Sequence, residues 1–119
     1  MTKHATKILA WLVFSLVFVH AAQAMSLREL RTLQANEKQG KNYAAYYLIG
    51  AMEGALEANA QAVRAGAKPL FCINGRRLEP RMAQSLYDAE LKRGVDVYEA
   101  DMAVQLVMTN ALVNVYTCV

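Results

Sequence analysis

The chain has 119 residues, of which 55% are hydrophobic and 19% charged, and its formal net charge is +3. Two of the basic residues, Lys3 and Lys7, lie in the first 24 residues, where no acidic residue occurs, so residues 25–119 carry a net charge of only +1. This near-neutral balance, with no basic stripe between aromatic residues, argues against nucleic-acid binding. The sequence of residues 25–119 also lacks the Lys/Arg-rich amphipathic face typical of a protein that binds a membrane surface.

Residues 1–24 are typical of a secretory signal peptide. Lys3 and Lys7 form a positive n-region, residues 8–19 form an apolar run interrupted only by Ser15, and residues 22–24 read Ala-Gln-Ala, an A-x-A cleavage site. The apolar run is shorter than the roughly 20 residues that a membrane-spanning helix needs. We therefore expect cleavage after Ala24, with an uncleaved N-terminal anchor as the alternative, and a single exported domain of residues 25–119. Because this domain has no N-x-S/T acceptor site, the bacterial periplasm is the preferred compartment.

The expected mature chain contains two cysteines and no histidine, since His4 and His20 both lie in the leader. In an exported protein Cys72 and Cys118 are expected to pair as a disulfide. Closing so long a loop would stabilise the fold by about 4 kcal/mol in the chain-entropy description. With no imidazole and both thiols paired, neither a zinc site nor a cofactor is expected.

The mature chain predicts an all-α fold, a small four-helix bundle-like domain held by one disulfide. Ser26 and Glu29 have the spacing of a capping box, which opens the first helix. An apolar stripe continues it through Leu30 and Leu33, and the helix is expected to end near Gly40.

The second predicted helix begins at an Asn42 cap, is rich in alanine, and ends at Gly66. Gly50 and Gly54 lie on one face of it, although each interior glycine costs about 1 kcal/mol relative to alanine. We expect them to allow close helix–helix packing. The alternative is a surface hollow for a ligand or for a second copy of the chain.

Residues 67–78 are the irregular stretch of the mature sequence, with Pro69, Cys72 and an Asn74-Gly75 turn signal. A third helix is expected to start near Pro80 and to stop at Gly94.

A fourth helix is expected to open with an Asp96-Val97-Tyr98-Glu99 capping sequence. Its apolar residues then repeat at spacings of three and four as far as Val115. The valine content of residues 104–119 also favours a strand, but the length of the run and its alanines favour a helix. Cys118 would then join the end of this helix to the central loop.

Six residues are candidates for contact with a protein partner: Arg76, Arg77, Lys92, Arg93, Asp96 and Tyr98. The alternative for the first pair is a solvated turn, and for Lys92 and Arg93 it is compensation of a helix dipole. Of the six tyrosines, we expect Tyr47 and Tyr116 to be in the core, whereas Tyr46 and Tyr98 fit the core or an interface equally well.

Catalysis is not expected. The mature chain has two serines, Ser26 and Ser85, and neither lies in a nucleophile-elbow sequence or has a histidine to activate it. The acidic pair Glu53 and Glu57 is spaced as on a solvated helix face. We therefore expect a binding protein and not an enzyme.

Residues 47–118 resemble the Rap/Tai family of small periplasmic immunity proteins. The elements that carry the resemblance are Tyr47-x-x-Gly50-x-x-x-Gly54, Phe71-Cys72, Gln84, Ala103, Ala111-Leu112 and Tyr116-x-Cys118. The resemblance implies a small all-α domain with a disulfide that forms a homodimer. It also implies a partner, a peptidoglycan amidase toxin delivered by type VI secretion, whose active-site cleft a loop would block. The chain departs from the family at Asn74 and Thr117, where proline is frequent.

A second hypothesis is a small periplasmic stress chaperone or structural protein, similar in size and disulfide use to the HdeA acid chaperones. Without histidine, an acid switch would depend on carboxylates that titrate near pH 4. A heme or small-ligand carrier is a weaker hypothesis, because no histidine ligand is present in the mature chain.

Overall fold

The computed structural model describes residues 23–119, and the n-region, the apolar run and Ala22 of the expected signal peptide lie outside the described residues. Four helices and no β-strand occur in residues 23–119, which confirms the all-α prediction: α1 (Leu27–Asn36), α2 (Gly40–Arg64), α3 (Met82–Arg93) and α4 (Val104–Val115). No helix in this part of the chain is long and apolar enough to cross a membrane.

The capping box at the start of α1 is confirmed. The Ser26 hydroxyl accepts a hydrogen bond from the Glu29 amide at 3.2 Å, and the Glu29 carboxylate accepts one from the Ser26 amide at 2.7 Å. The hydrogen bond from the Ser26 backbone, followed by that from its hydroxyl, lowers the pKa of Glu29. Leu27 and Leu30 then enter the core and are fully buried.

The boundary between α1 and α2 differs from the prediction. α1 ends at Asn36, and Gly40 does not end the first helix but begins the second. A Cβ atom at Gly40 would lie 1.8 Å from the Leu33 carbonyl oxygen, so only glycine permits this close corner. The predicted Asn42 cap is wrong, because the helix has already begun and Asn42 only donates a side-chain hydrogen bond to Gln39 at 2.7 Å.

α2 is the central helix and packs against each of the other three, while α3 also packs against α4. It ends at Arg64, and the following Gly66 has a φ of +92°, as predicted for a helix end. The buried hydrophobic side chains of all four helices, with Phe71 and Tyr116, form one cluster.

The start of α4 is the main error in the sequence-based prediction. Residues 96–99 do not cap a helix; residues 94–103 are irregular, and α4 starts at Val104. The reason is tertiary: the carbonyls of Ala100 and Met102 accept hydrogen bonds from the amides at the start of α1, both at 2.9 Å. Val104 in turn donates to the Met25 carbonyl at 2.9 Å. Beyond that point the helix, and not the alternative strand, is confirmed.

Cys72 and Cys118 form the predicted disulfide, across a sequence separation of 46 residues and with a Cα–Cα distance of 4.9 Å. The Cys72 amide also donates to the Tyr116 carbonyl at 2.7 Å, so the end of the chain is held to the central loop twice. Asn74 and Gly75 both have positive φ, 54° and 75°, which confirms the turn. The disulfide suggests an oxidising, extracellular-type compartment.

Candidate protein-binding surface

A buried carboxylate organises the connection between α3 and α4. The Glu90 side chain is only 5% exposed. Its two oxygens accept hydrogen bonds from the Tyr98 hydroxyl at 2.7 Å, from the Asn114 amide at 3.0 and 3.1 Å, and from Arg93 at 2.5 Å. Asn110 donates to the Tyr98 hydroxyl at 3.0 Å. A buried charge is costly unless it is paired and hydrogen-bonded, and both conditions are met here.

The protonation states of this cluster follow from its contacts. Burial raises the pKa of Glu90, but the hydrogen bonds from Tyr98 and Asn114 and the charge of Arg93 outweigh it, so that the pKa lies below its ordinary value. Burial and the hydrogen bond to Glu90 raise the pKa of Tyr98. At neutral pH Glu90 is therefore an anion, and Tyr98 stays a donor.

The cluster fixes a tight turn of residues 94–98, which we name the valine turn. The amides of Val97 and Tyr98 both donate to the Gly94 carbonyl, at 2.9 and 3.1 Å. Gly94 is buried under the Tyr98 ring, because an added Cβ there would lie 2.5 Å from the ring carbon Cε2. The turn is thus held at its start by close packing and at its end by the hydrogen-bonded hydroxyl of Tyr98.

The tip of the valine turn is apolar and open to solvent. Val95 is 74% exposed and Val97 is 65% exposed, with the exposed Asp96 between them. Single exposed valines are common on protein surfaces, but here two lie two residues apart on a braced turn. A side chain held in place before binding loses less conformational entropy when a partner covers it. This turn is therefore the best candidate for a contact with another protein.

The structure divides the four predicted contact residues nearby into two roles. Lys92 and Asp96 are exposed beside and within the valine turn, where a partner can reach them. Arg93 and Tyr98 are engaged with Glu90 and hold the turn in place.

The other predicted pair, Arg76 and Arg77, belongs to the central loop. The Arg76 guanidinium stacks 4.8 Å from the centroid of the Tyr116 ring and donates to the Ile73 carbonyl at 2.9 Å. Arg76 is therefore occupied in holding the C-terminal segment, as a cation–π partner. Arg77 is exposed and lines a shallow hollow of about 700 Å³ with Glu53 and four residues of the 78–81 segment.

The expectation that Gly50 and Gly54 allow close helix–helix packing is wrong. A Cβ atom at either position would meet no atom of the described residues within 4 Å, and both residues are exposed. Gly54 instead borders an apolar groove of about 480 Å³ between α2 and α4. The groove lining also includes Ala55, Ala58, Asn59, Ala62, Leu70, Phe71, Gln105 and Thr109. The structure thus has a surface groove beside Gly54, and the alternative, that it receives a ligand or a second copy of the chain, stays a prediction.

The tyrosines are distributed largely as predicted. Tyr116 is in the core, 6% exposed, and Tyr47 packs against the core with its hydroxyl accepting a hydrogen bond from the Met25 amide at 3.1 Å. Tyr46 is 74% exposed. Tyr87 is 3% exposed, and its hydroxyl has no hydrogen-bond partner among residues 23–119. Burial raises its pKa.

The sequence-based prediction missed part of this surface: the buried Glu90, the two asparagines of α4 that belong to its cluster, and the two exposed valines. Glu90 follows Ala83 and Leu86 at helical spacing, and this pattern could have placed it on the buried face. Asn110 and Asn114 are four residues apart on α4 and therefore share a face. The valines on either side of Asp96 fit no helical stripe, which is the signal that could have identified an exposed apolar tip.

The residues considered for catalysis have structural contacts. The Ser85 hydroxyl donates to the Met82 carbonyl at 3.0 Å, and Ser26 caps α1. Glu57 is on the solvated face as predicted, paired with Arg64 at 2.8 Å. Within residues 23–119 no three His, Cys, Asp or Glu side chains are grouped in a way that would hold a metal ion.

No family model, curated protein or solved structure matches this chain. The resemblance to the Rap/Tai family therefore stays a prediction.

Proposed function

We propose that this protein is a periplasmic immunity protein that binds a peptidoglycan amidase delivered by type VI secretion and occludes its active-site cleft. The observation that carries the proposal is the valine turn, where two exposed apolar side chains are presented on a turn braced by a buried carboxylate. The disulfide supports an exported protein. The protein needs no chemistry of its own in this role.

Inhibition would be steric. Val95 and Val97 enter an apolar part of the cleft, and burying each of them contributes about 1.5–3 kcal/mol. Lys92 and Asp96 lie at the edge of this contact, where charges set the orientation and the association rate more than the affinity. As the resemblance implies, we also propose that the protein is a homodimer, which light scattering coupled to size-exclusion chromatography measures directly.

The decisive experiment is pull-down with a type VI amidase, chosen from those encoded beside this gene, followed by an assay of peptidoglycan cleavage. The double variant V95D/V97D should lose at least about tenfold in affinity, the equivalent of about 1.4 kcal/mol. Val63→Asp is the matched control, because Val63 is also exposed, at 44%, but lies on α2. Equal binding by both variants would exclude the valine turn, and no binding by the wild-type protein would overturn the immunity proposal.

The Glu90 cluster keeps a second function open, that of an acid-triggered chaperone. Protonation of Glu90 in strong acid removes the anion that Tyr98, Arg93 and Asn114 bind, which would release the valine turn and the helices beneath it. A chaperone of this kind exposes apolar surface in acid and then binds unfolded clients. The test is binding of a hydrophobic dye between about pH 7 and about pH 2, a range that extends well below the ordinary carboxylate pKa. Dye binding that stays constant over this range would exclude the chaperone function.

A further inference from the structure

The chain becomes part of the fold at Met25. The Met25 amide donates to the Tyr47 hydroxyl at 3.1 Å, and the Met25 carbonyl accepts from the Val104 amide at 2.9 Å. The Met25 side chain packs against the hydrophobic cluster. Gln23 and Ala24, in contrast, are exposed and make no hydrogen bond within the described residues.

The residues after Met25 are equally fixed. Ser26 forms an antiparallel bridge with Ala103, and the Leu27 amide donates to the Met102 carbonyl at 2.9 Å. Among the described residues, Met25 is therefore the first that is bonded to the core. The sequence independently predicts cleavage at the bond just before it.

We infer that the Tyr47 hydroxyl is the binding site for the amino group that cleavage after Ala24 creates on Met25. The inference rests on the export part of the proposed function. In the cleavage, water adds across the peptide bond, Ala24 leaves with a carboxylate, and the Met25 nitrogen becomes an amino group. With an ordinary pKa of about 7.7–8.0 that group is mostly protonated at neutral pH.

The geometry suits an ammonium group at this position. The Met25 nitrogen keeps its place after cleavage, because the Met25 carbonyl and Ser26 remain anchored on the 103–104 segment. The Tyr47 hydroxyl then accepts a charge-assisted hydrogen bond, which is roughly twice as strong as the neutral one from an amide. Tyr47 thus ties the new N-terminus to the middle of α2, and the mature chain has no loose residue before α1.

The test compares two exported proteins, the wild type and a variant with Thr-Gln inserted between Ala24 and Met25, an insertion that adds no second A-x-A site. Cleavage after Ala24 leaves the amino group on Met25 in the first and two residues away in the second. Tyr47→Phe should lower the midpoint of thermal unfolding in both proteins. The decrease should be about twice as large in the wild-type background as in the insertion background. Tyr46→Phe is the matched control, because the Tyr46 side chain is 74% exposed.

A second measurement needs no variant at Tyr47. The terminal amino group should react with an acylating reagent several-fold more slowly in the wild type than in the Thr-Gln variant, because the bound amine is withdrawn from solvent. Intact mass identifies the first residue of each exported protein. A retained leader would overturn the export proposal itself. A chain that starts at Met25 but shows equal reactivity and equal Tyr47→Phe losses would overturn only the role of Tyr47.

Discussion

The side-chain amide of Asn114 on α4 donates to both carboxylate oxygens of Glu90 on α3, at 3.1 and 3.0 Å. This contact spans two helices and lies beneath an exposed turn, so one buried anion joins the packing of α3 against α4 to the shape of the surface above.

Asn114→Ala should destabilise the protein by about 1.5–3 kcal/mol, because hydrogen bonds to a charged group contribute that much and the carboxylate stays buried. Urea denaturation measures the loss. Asn42→Ala is the control, since Asn42 is exposed and, in the described part of the chain, its side chain bonds only to that of Gln39. This variant should change stability by less than about 0.5 kcal/mol. Equal losses in the two variants would contradict the role of the buried anion.

The pH dependence of stability should reveal the same carboxylate. Because the folded state lowers the pKa of Glu90, its contribution is complete above the ordinary pKa, about 4.3, and is lost as the pH falls through the folded value. The free energy of unfolding of the wild type should therefore approach that of Glu90→Gln as the pH drops below about 4. The pKa values of Glu29 and Glu57 are also lowered. Both residues are present in the wild type and in the variant, so their contributions to the pH dependence cancel in the difference. A difference that stays constant down to about pH 2 would refute this assignment.

Tyr98→Phe should loosen the valine turn while leaving its exposed side chains unchanged. The variant loses the hydroxyl that donates to Glu90 and accepts from Asn110, at a cost of about 1 kcal/mol or more. Hydrogen exchange of the Val97 and Tyr98 amides should become faster, whereas exchange in α2 should not. If the amidase is the partner, its dissociation should also accelerate, because the turn is less ordered before binding.

Two glycines that look alike in the sequence should respond oppositely to alanine. Gly54→Ala should stabilise the protein by about 1 kcal/mol, since alanine favours the helix and its Cβ would meet no atom of residues 23–119 within 4 Å. Gly40→Ala should destabilise it strongly, because its Cβ would lie 1.8 Å from the Leu33 carbonyl oxygen. Thermal unfolding measures both changes: the midpoint should rise for Gly54→Ala and fall for Gly40→Ala. A destabilised Gly54→Ala would show that the groove beside it is narrower than the structure has it.

Removal of the disulfide should lower stability by about 4 kcal/mol, the loop-closure figure for a separation of 46 residues. The C72S/C118S variant should lose this amount relative to the oxidised protein. Adding a reducing agent to the wild type should produce a similar loss, and should have no effect on the variant. A variant as stable as the wild type would mean that the Cys72–Tyr116 hydrogen bond and the Arg76 stacking hold the C-terminal segment without the bridge.

The main error in the sequence-based prediction, the start of α4, arises where distant parts of the chain compete for the same backbone groups. Residues 96–99 have the spacing of a helix cap, yet residues 100–104 pair with residues 25–28 instead of extending a helix. Asn42 is a good cap residue, but the corner at Gly40 starts the helix before it. For the candidate surface, Lys92, Asp96 and Tyr98 were found from charge and residue type, whereas Glu90 was missed because its partners come from other elements.

The sequence by itself determined the helical class, the capping box at Ser26 and the pairing of Cys72 with Cys118, because periodicity, local hydrogen bonds and a single possible cysteine pair depend on little beyond residue identity. Only the tertiary structure decided where α4 begins and which charged residues are free. Those outcomes depend on contacts between residues far apart in the chain, such as Glu90 and Asn114, which are separated by 24 residues. Burial decides the role of each charged residue: an exposed charge can contact a partner, whereas a buried one supports the turn.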